Sequence, residues 1–365
     1  FATTVYDQGG LASTSAVILG LSNNTTYYWR VNATNVFGTS TWSSTWSFTT
    51  TAEMPEIIDN GSGYSLDFTR ANAEAINCGN STSVNISGSI TAEALIRPTL
   101  AGTTMSIIKK CNYYNQGGGY ELYCSSNGNI AFRINGTATC SSTTPYPTDG
   151  NTWMHVAGTY DGANVRLYIN GRLEATTSYT LPINSTTNNL LIATDPSRTD
   201  AYFNGGIDEA RLWNVARTAD QIREGMCKKL EGTETGLVGN WRMDEASGTV
   251  VYDYSAYSNH GVMVNMDPAT DRVWSGAALG DASSYDFDAT GGYSASLSHS
   301  DGDFLSVMTT AGTIYGIQVY REDADPLRSG ASIPDGFTVE NARYWGVRAI
   351  GTSAPTYTLV YNYTG

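Results

Sequence analysis

A chain of 365 residues with a formal charge of −14 has length for two or three domains and lacks the basic face that a nucleic-acid backbone requires. The same acidic balance excludes docking on an anionic membrane surface and leaves cations, calcium among them, as candidate partners. Only 15% of the side chains are charged, while Gly, Ser, Thr, Asn and Tyr dominate, a mixture that suits short strands joined by tight turns.

Residues 1–51 read as strands. "TSAVILGL" is followed by "TTYYWRVNATN", in which Tyr27, Trp29, Val31 and Ala33 alternate onto one face, and "STWSFTTT" alternates again. Short runs of period 2 bounded by Asn and Gly indicate half-buried antiparallel strands. Leu21, Thr25, Tyr27, Arg30, Val31, Ala33, Asn35 and Gly38 resemble the second half of a fibronectin type III domain, with Tyr27 at the place of its tyrosine corner. The resemblance covers about half of such a sandwich, and an open half-sandwich invites strands from a neighbouring chain. A linker is expected over 52–60, where Pro55 interrupts the alternation.

Residues 61–268 carry, in order, "YSLDFTRANAEAINCG", "GSITAEALIRP", "NTWMHVAGTYDGANVRLYINGRLEAT", "YFNGGIDEARLWNVARTADQIRE" and "GLVGNWRMDEASGTVVYDYSAYSNHGVMV". Asn170-Gly171 predicts a type I′ hairpin turn, and Asp161-Gly162 the turn before it. Thr218 and Gln221 are spaced as a capping box, which predicts one short helix with Ile222 and Met226 on one face, plugging an end of the sandwich. Together the motifs resemble a LamG-like jelly roll of the concanavalin A-like lectin/glucanase superfamily. Residues 275–365 show six further strands, from "SYDFDAT" to "TYTLVYNYT", with turns at Gly291-Gly292 and Asp301-Gly302. They resemble a small β-sandwich module of secreted bacterial surface proteins. The expected fold is all-β: tandem antiparallel β-sandwiches.

Catalytic sets are missing. Retaining and inverting glycosidases flank the scissile bond with two carboxyl groups, and the jelly-roll glucanases place theirs along one strand as Glu-x-Asp-x-(x)-Glu. Asp208-Glu209 are adjacent, so on a regular strand they face opposite ways. There is no Gly-x-Ser-x-Gly elbow and no phosphate loop after a strand; His155, His260 and His299 read as structural. The chain is therefore expected not to be an enzyme, and no catalytic residue is assigned.

Binding chemistry is better represented. The resemblance implies a calcium ion at the sheet rim with Asp208 as ligand, alongside Asn72 and Glu74, the oxygen donors that remain in "FTRANAEAI". Against this, Asp208 can cap the chain or pair with Arg211 or Arg166. Aromatic rings stack on the apolar faces of sugars while amides bind hydroxyls, which makes Tyr113, Tyr114, Asn115, Gln116, Tyr146 and Tyr202 candidate glycan ligands if their loops share one end of the sandwich. Of five cysteines, Cys111, Cys124 and Cys140 are disulfide candidates in an oxidising compartment. Asn32, Asn60, Asn80, Asn135 and Asn184 begin Asn-x-Ser/Thr triplets, which chance supplies freely in so Ser- and Thr-rich a chain.

The resemblances imply an extracellular or cell-surface segment of a large bacterial protein serving adhesion or glycan binding. Its expected partners are a glycan, a neighbouring surface protein, or a second copy through the incomplete first module. A structural subunit of a filament or sheath, or an accessory region of a secreted hydrolase, is the alternative.

Overall fold

The computed structural model describes residues 4, 6, 7, 9, 10, 25–36, 38–49, 63–111, 117–195, 200–287, 292–311, 313–323, 343–351 and 356–362. It forms two compact units, Phe1–Pro55 and Glu56–Gly365. The expected strand over 14–21 and the linker over 52–60 lie outside the described residues.

In the first unit β1 (Thr26–Trp29) pairs with β4 (Trp46–Thr49), and β2 (Thr34–Asn35) with β3 (Gly38–Thr39). The alternation places Tyr27 opposite Phe48 and Trp29 opposite Trp46. Their rings lie 5.8 and 4.7 Å apart, a four-ring ladder on one face.

The second unit opens with β5 (Tyr64–Phe68), β6 (Ala75–Asn77), β7 (Ile90–Pro98), β8 (Met105–Cys111), β9 (Gly119–Cys124) and β10 (Asn129–Ile134). There follow β11 (Ala138–Pro145), β12 (Met154–Tyr160), β13 (Asn164–Ile169), β14 (Arg172–Ser178), β15 (Leu191–Ile192) and β16 (Gly205–Trp213). After helix α1 (Ala219–Gly225) come β17 (Leu237–Trp241), β18 (Val250–Val251), β19 (Gly261–Val264) and β20 (Arg272–Trp274). Two sheets result, in the orders β11-β10-β9-β8-β15-β6-β19-β18 and β14-β13-β12-β7-β16-β5-β20, with β17 also paired to β16. Their inner faces meet in one core that includes Leu66, Ile96, Ile108, Leu122, Phe132, Val156, Leu167, Ile207 and Trp241. The all-β reading holds.

Local chemistry explains the turns. Asn170 and Gly171 take φ of 50° and 76°, the left-handed pair that a type I′ turn between β13 and β14 demands. The Asp161 carboxylate accepts from the backbone N–H of Ala163 and Asn164 and closes the preceding turn. The capping box of α1 is complete: the Thr218 hydroxyl accepts from Gln221 N–H, and the Gln221 side chain accepts from Thr218 N–H. The helix does not plug an end. It seats Ile222 on Ala157 and Tyr168, cross-strand neighbours on the outer face of the sheet, because Val156 and Leu167 fill the inner one.

Two three-stranded sheets complete this unit. β21 (Ala282–Phe287), β24 (Ile314–Glu322) and β25 (Tyr344–Gly351) form one, and β22 (Ser294–Ser298), β23 (Phe304–Ala311) and β26 (Thr356–Asn362) the other. Ala295, Leu305, Val307, Ile317 and Val319 are buried between them. This sandwich meets the larger one through Met226, Cys227 and Ile350. The Lys229–Glu322 ion pair (2.8 Å) and the bond from Arg348 to Asn170 Oδ1 (2.7 Å) join them as well.

The register rules out the expected disulfides. All five cysteines are buried and none is in a disulfide. Cys111 lies opposite Gly119 at one end of β8, and Cys124 opposite Met105 at the other. Cys140 pairs with Phe132, which in turn pairs with Leu122, so two strand spacings of roughly 4.8 Å separate its row from β9. A disulfide needs Cα atoms within about 7 Å, and no pair of these three meets that.

Candidate polar hollows at one end of the sandwich

The same register fixes where the described candidates lie. Cys111 and Gly119 pair at one end of β8 and β9. Tyr146 and Tyr202 belong to the other end, where Tyr146 N–H donates to Gly128 O and Ser106 N–H to Ala201 O. Seven residues of β8 span roughly 20 Å between the two ends. Tyr113, Tyr114, Asn115 and Gln116 lie outside the described residues. Tyr146 is buried, not exposed, and Tyr202 is half-buried with its carbonyl accepting from Arg70.

The calcium set does not converge either. The Glu74 carboxylate accepts from Thr69 N–H (2.5 Å) and Asn72 Nδ2 (2.8 Å). Asp208 lies on the far side of the Ile207–Leu66 pair, about four strand residues or roughly 13 Å from Thr69. Its carboxylate accepts from Ser275 Oγ (2.6 Å) and Glu209 N–H (2.8 Å). Among the described residues no group of three His, Cys, Asp or Glu is placed to hold a metal.

Asp208 and Glu209 are also not on a regular strand. The pairing with β7 slips between Asp208 and Arg211 and Glu209 takes φ 47°, a bulge that breaks the alternation. Both acids are buried: Glu209 is held by Arg211 (2.7 Å) and Asp208 by Ser275. Burial raises the pKa of Asp208 well above the usual carboxylate range, and Asp244 and Glu209 raise it further. Burial does the same to Asp244, aided by Glu209 and opposed by Lys229 and Arg242. These acids serve the fold, since hydrogen bonds and ion pairs occupy them away from solvent. His155 likewise lies buried 3.5 Å from Glu93.

What the Cys111 end does offer is a polar hollow of about 480 Å³ lined by Asn80, Asn85, Ser185, Thr186 and Thr187. Two bonds place it at this end, Gly119 N–H to Asn184 O and Asn188 Nδ2 to Cys111 O. Asn80 Oδ1 accepts from Asn85 Nδ2 (3.1 Å) and from Lys110 Nζ (2.6 Å), while Asn80 Nδ2 donates to Thr187 O. Asn85 Oδ1 is buried with no hydrogen-bond donor, and an acceptor left so is costly unless something supplies an O–H or N–H. Ser81 and Ser83 donate to Asn259 Oδ1, tying this turn to the loop that carries Tyr257.

Tyr257, half exposed, helps line a second hollow of about 420 Å³ with Asn214, Val215, Ala256 and the 232–237 turn. Volumes of this order accommodate small ligands, and amides, hydroxyls and an exposed ring suit sugar hydroxyls and C–H faces. Sequence reading singled out Asn80 only as the head of an Asn-x-Ser/Thr triplet and assigned no role to Asn85, Lys110 or Tyr257. These residues come from three separate segments, and no local pattern links them.

Residues 70–223 match the family model of the concanavalin A-like lectin/glucanases superfamily, laminin G type, so a domain of that superfamily occupies this stretch. No curated protein matches the chain. Among solved structures, a proposed carbohydrate-binding protein from Bacteroides ovatus is 20% identical, covers 72% of each chain and superposes with a TM-score of 0.49. A heptameric pentraxin from Limulus polyphemus is 18% identical over 44% of this chain and 79% of its own, with a TM-score of 0.34. Domain 4 of an arabinanase from Geobacillus stearothermophilus is 16% identical over 48% and 82%, with a TM-score of 0.36.

Proposed function

We propose that the chain is a non-catalytic, glycan-binding segment of a large secreted or cell-surface bacterial protein, acting in adhesion. The observation that carries this reading is the Asn80–Thr187 hollow, in which amides and hydroxyls converge, one buried acceptor lacks a donor, and no carboxylate stands among the described lining residues. The lectin-superfamily stretch supports it. So does the occupation of Asp208 and Glu209 within the fold. A neutral hydrogen bond contributes about 0.5–1.5 kcal/mol, so Asn85→Ala weakens a glycan found by array screening up to roughly tenfold, with the circular dichroism spectrum unchanged. Unaltered affinity in Asn80→Ala and Asn85→Ala refutes the site, and release of reducing ends from any bound polysaccharide refutes the non-catalytic part.

A second reading, subunit of an extracellular filament, is favoured by the ring ladder of the first unit. Trp29, Trp46 and Phe48 are 44%, 45% and 41% exposed, and exposed apolar side chains grouped in one patch mark interaction surfaces. Sedimentation velocity decides it: this reading requires self-association that Trp46→Ser abolishes, and a monomer at all concentrations rejects it.

A further inference from the structure

The chain has four lysines, Lys109, Lys110, Lys228 and Lys229, and three of them are buried. Lys109 is matched by Glu121 and Asp195, and Lys229 by Glu322. Lys110 is the exception. Its ammonium donates to Asn80 Oδ1 (2.6 Å) and Asn188 O (2.5 Å), both neutral oxygens, and no described carboxylate pairs with it. Two acceptors serve three N–H groups. The strand explains the position: Lys109 faces outward in the Glu121 row, whereas Lys110 lies opposite Tyr120 on the core-facing side, where the sandwich ends at the hollow. A buried cation without a counter-charge is costly, and this chain has 34 acids against 20 bases from which one could have been drawn.

Resting on the glycan-binding reading, we propose that the Asn80–Thr187 hollow selects saccharides that carry a carboxylate, with the charge of Lys110, which lies behind the lining and donates to Asn80, attracting it from beneath. Uronates and sialates are the chemical class; the carboxylate supplies the missing counter-charge, and Asn85 Oδ1 and the Ser185 and Thr187 hydroxyls meet the sugar's own hydroxyls. Burial lowers the Lys110 ammonium to about 8, so its charge is present at neutral pH and is lost just above it. The titratable groups on the same side, Tyr120 and Cys78, are kept neutral by burial. Glu121 and Asp195, on the outward side, are engaged with Lys109.

The test is a glycan array carrying uronate-containing, sialate-containing and neutral oligosaccharides, followed by calorimetry of the tightest acidic ligand and its methyl ester. The expected result is that acidic glycans bind, that esterification weakens binding tenfold or more at pH 7, and that raising the pH from 7 to 9 erases most of this difference. Lys110→Met should bind acid and ester alike. If that variant does not fold, the ester comparison on the unaltered chain still decides. An ester that binds as tightly as the acid, or an array on which neutral glycans alone bind, overturns the selectivity while leaving glycan binding intact. An array silent throughout overturns both.

Discussion

The most exacting prediction concerns the ion pair that joins the two sandwiches of the second unit. Lys229 Nζ and the Glu322 carboxylate stand 2.8 Å apart with side chains 7% and 0% exposed. Lys229→Met leaves the Glu322 charge in a site from which water is excluded, and breaking a buried pair in this way costs about 3–5 kcal/mol. Replacing both partners, Lys229→Met with Glu322→Leu, removes that uncompensated charge, and such exchanges are neutral or stabilising by about 1–4 kcal/mol. In urea, monitored by tryptophan fluorescence, the single variant should therefore lower the midpoint by about 1 M or more, and the double variant should restore most of it. A single variant that loses under about 1 kcal/mol, or a double variant as unstable as the single, shows that the pair is effectively solvated and the reasoning wrong.

Other consequences follow from the same packing. Because all five thiols are buried and outside any disulfide, a thiol reagent should label none of them rapidly in the folded chain and all five in guanidinium; rapid native labelling or a thermal midpoint shifted by dithiothreitol contradicts the register. Asp208 and Asp244 have raised pKa values from burial and from repulsion by neighbouring acids, so the folded chain holds their protons longer than the unfolded one. Their stability contribution is full below the ordinary carboxylate range and is lost as pH rises toward the raised values. Asp208→Asn should flatten that decline in a midpoint-against-pH series, and an unchanged slope argues against it. A Cβ at Gly158 would lie 2.0 Å from the Phe132 ring, so Gly158→Ala should cost about 1–3 kcal/mol in denaturant melts, and a neutral result would mean the core yields there.

Much of the fold was legible because it is written in local chemistry. Asn170-Gly171, the Thr218–Gln221 box and the strands of the last sandwich each follow from a few consecutive residues. What failed was long-range. The expectation that Asp208 and Glu209 face apart took an unbroken strand as its premise, and the bulge found there instead is fixed by pairing with β7. The exposure expected of Tyr146 failed for the same reason: the turn between β9 and β10 covers it, and composition carries no record of such a contact. The hollow itself was invisible, since Asn80, Asn85, Lys110 and Ser185 converge only once β6, β8 and β15 are aligned. Exposed tyrosines drew attention as sugar ligands, while the lysine that lacks a counter-charge becomes distinctive only when the partners of Lys109 and Lys229 are known.

The claim at the centre is that a saccharide enters the Asn80–Asn85 hollow and leaves unchanged. A titration of the array-identified glycan, followed by side-chain amide NMR of the protein and by the sugar's own anomeric signals overnight, tests both halves together. Saturable shifts at Asn80 and Asn85, with no new reducing-end resonance, are predicted. Shifts confined to other amides, or a growing reducing-end signal, would contradict the account.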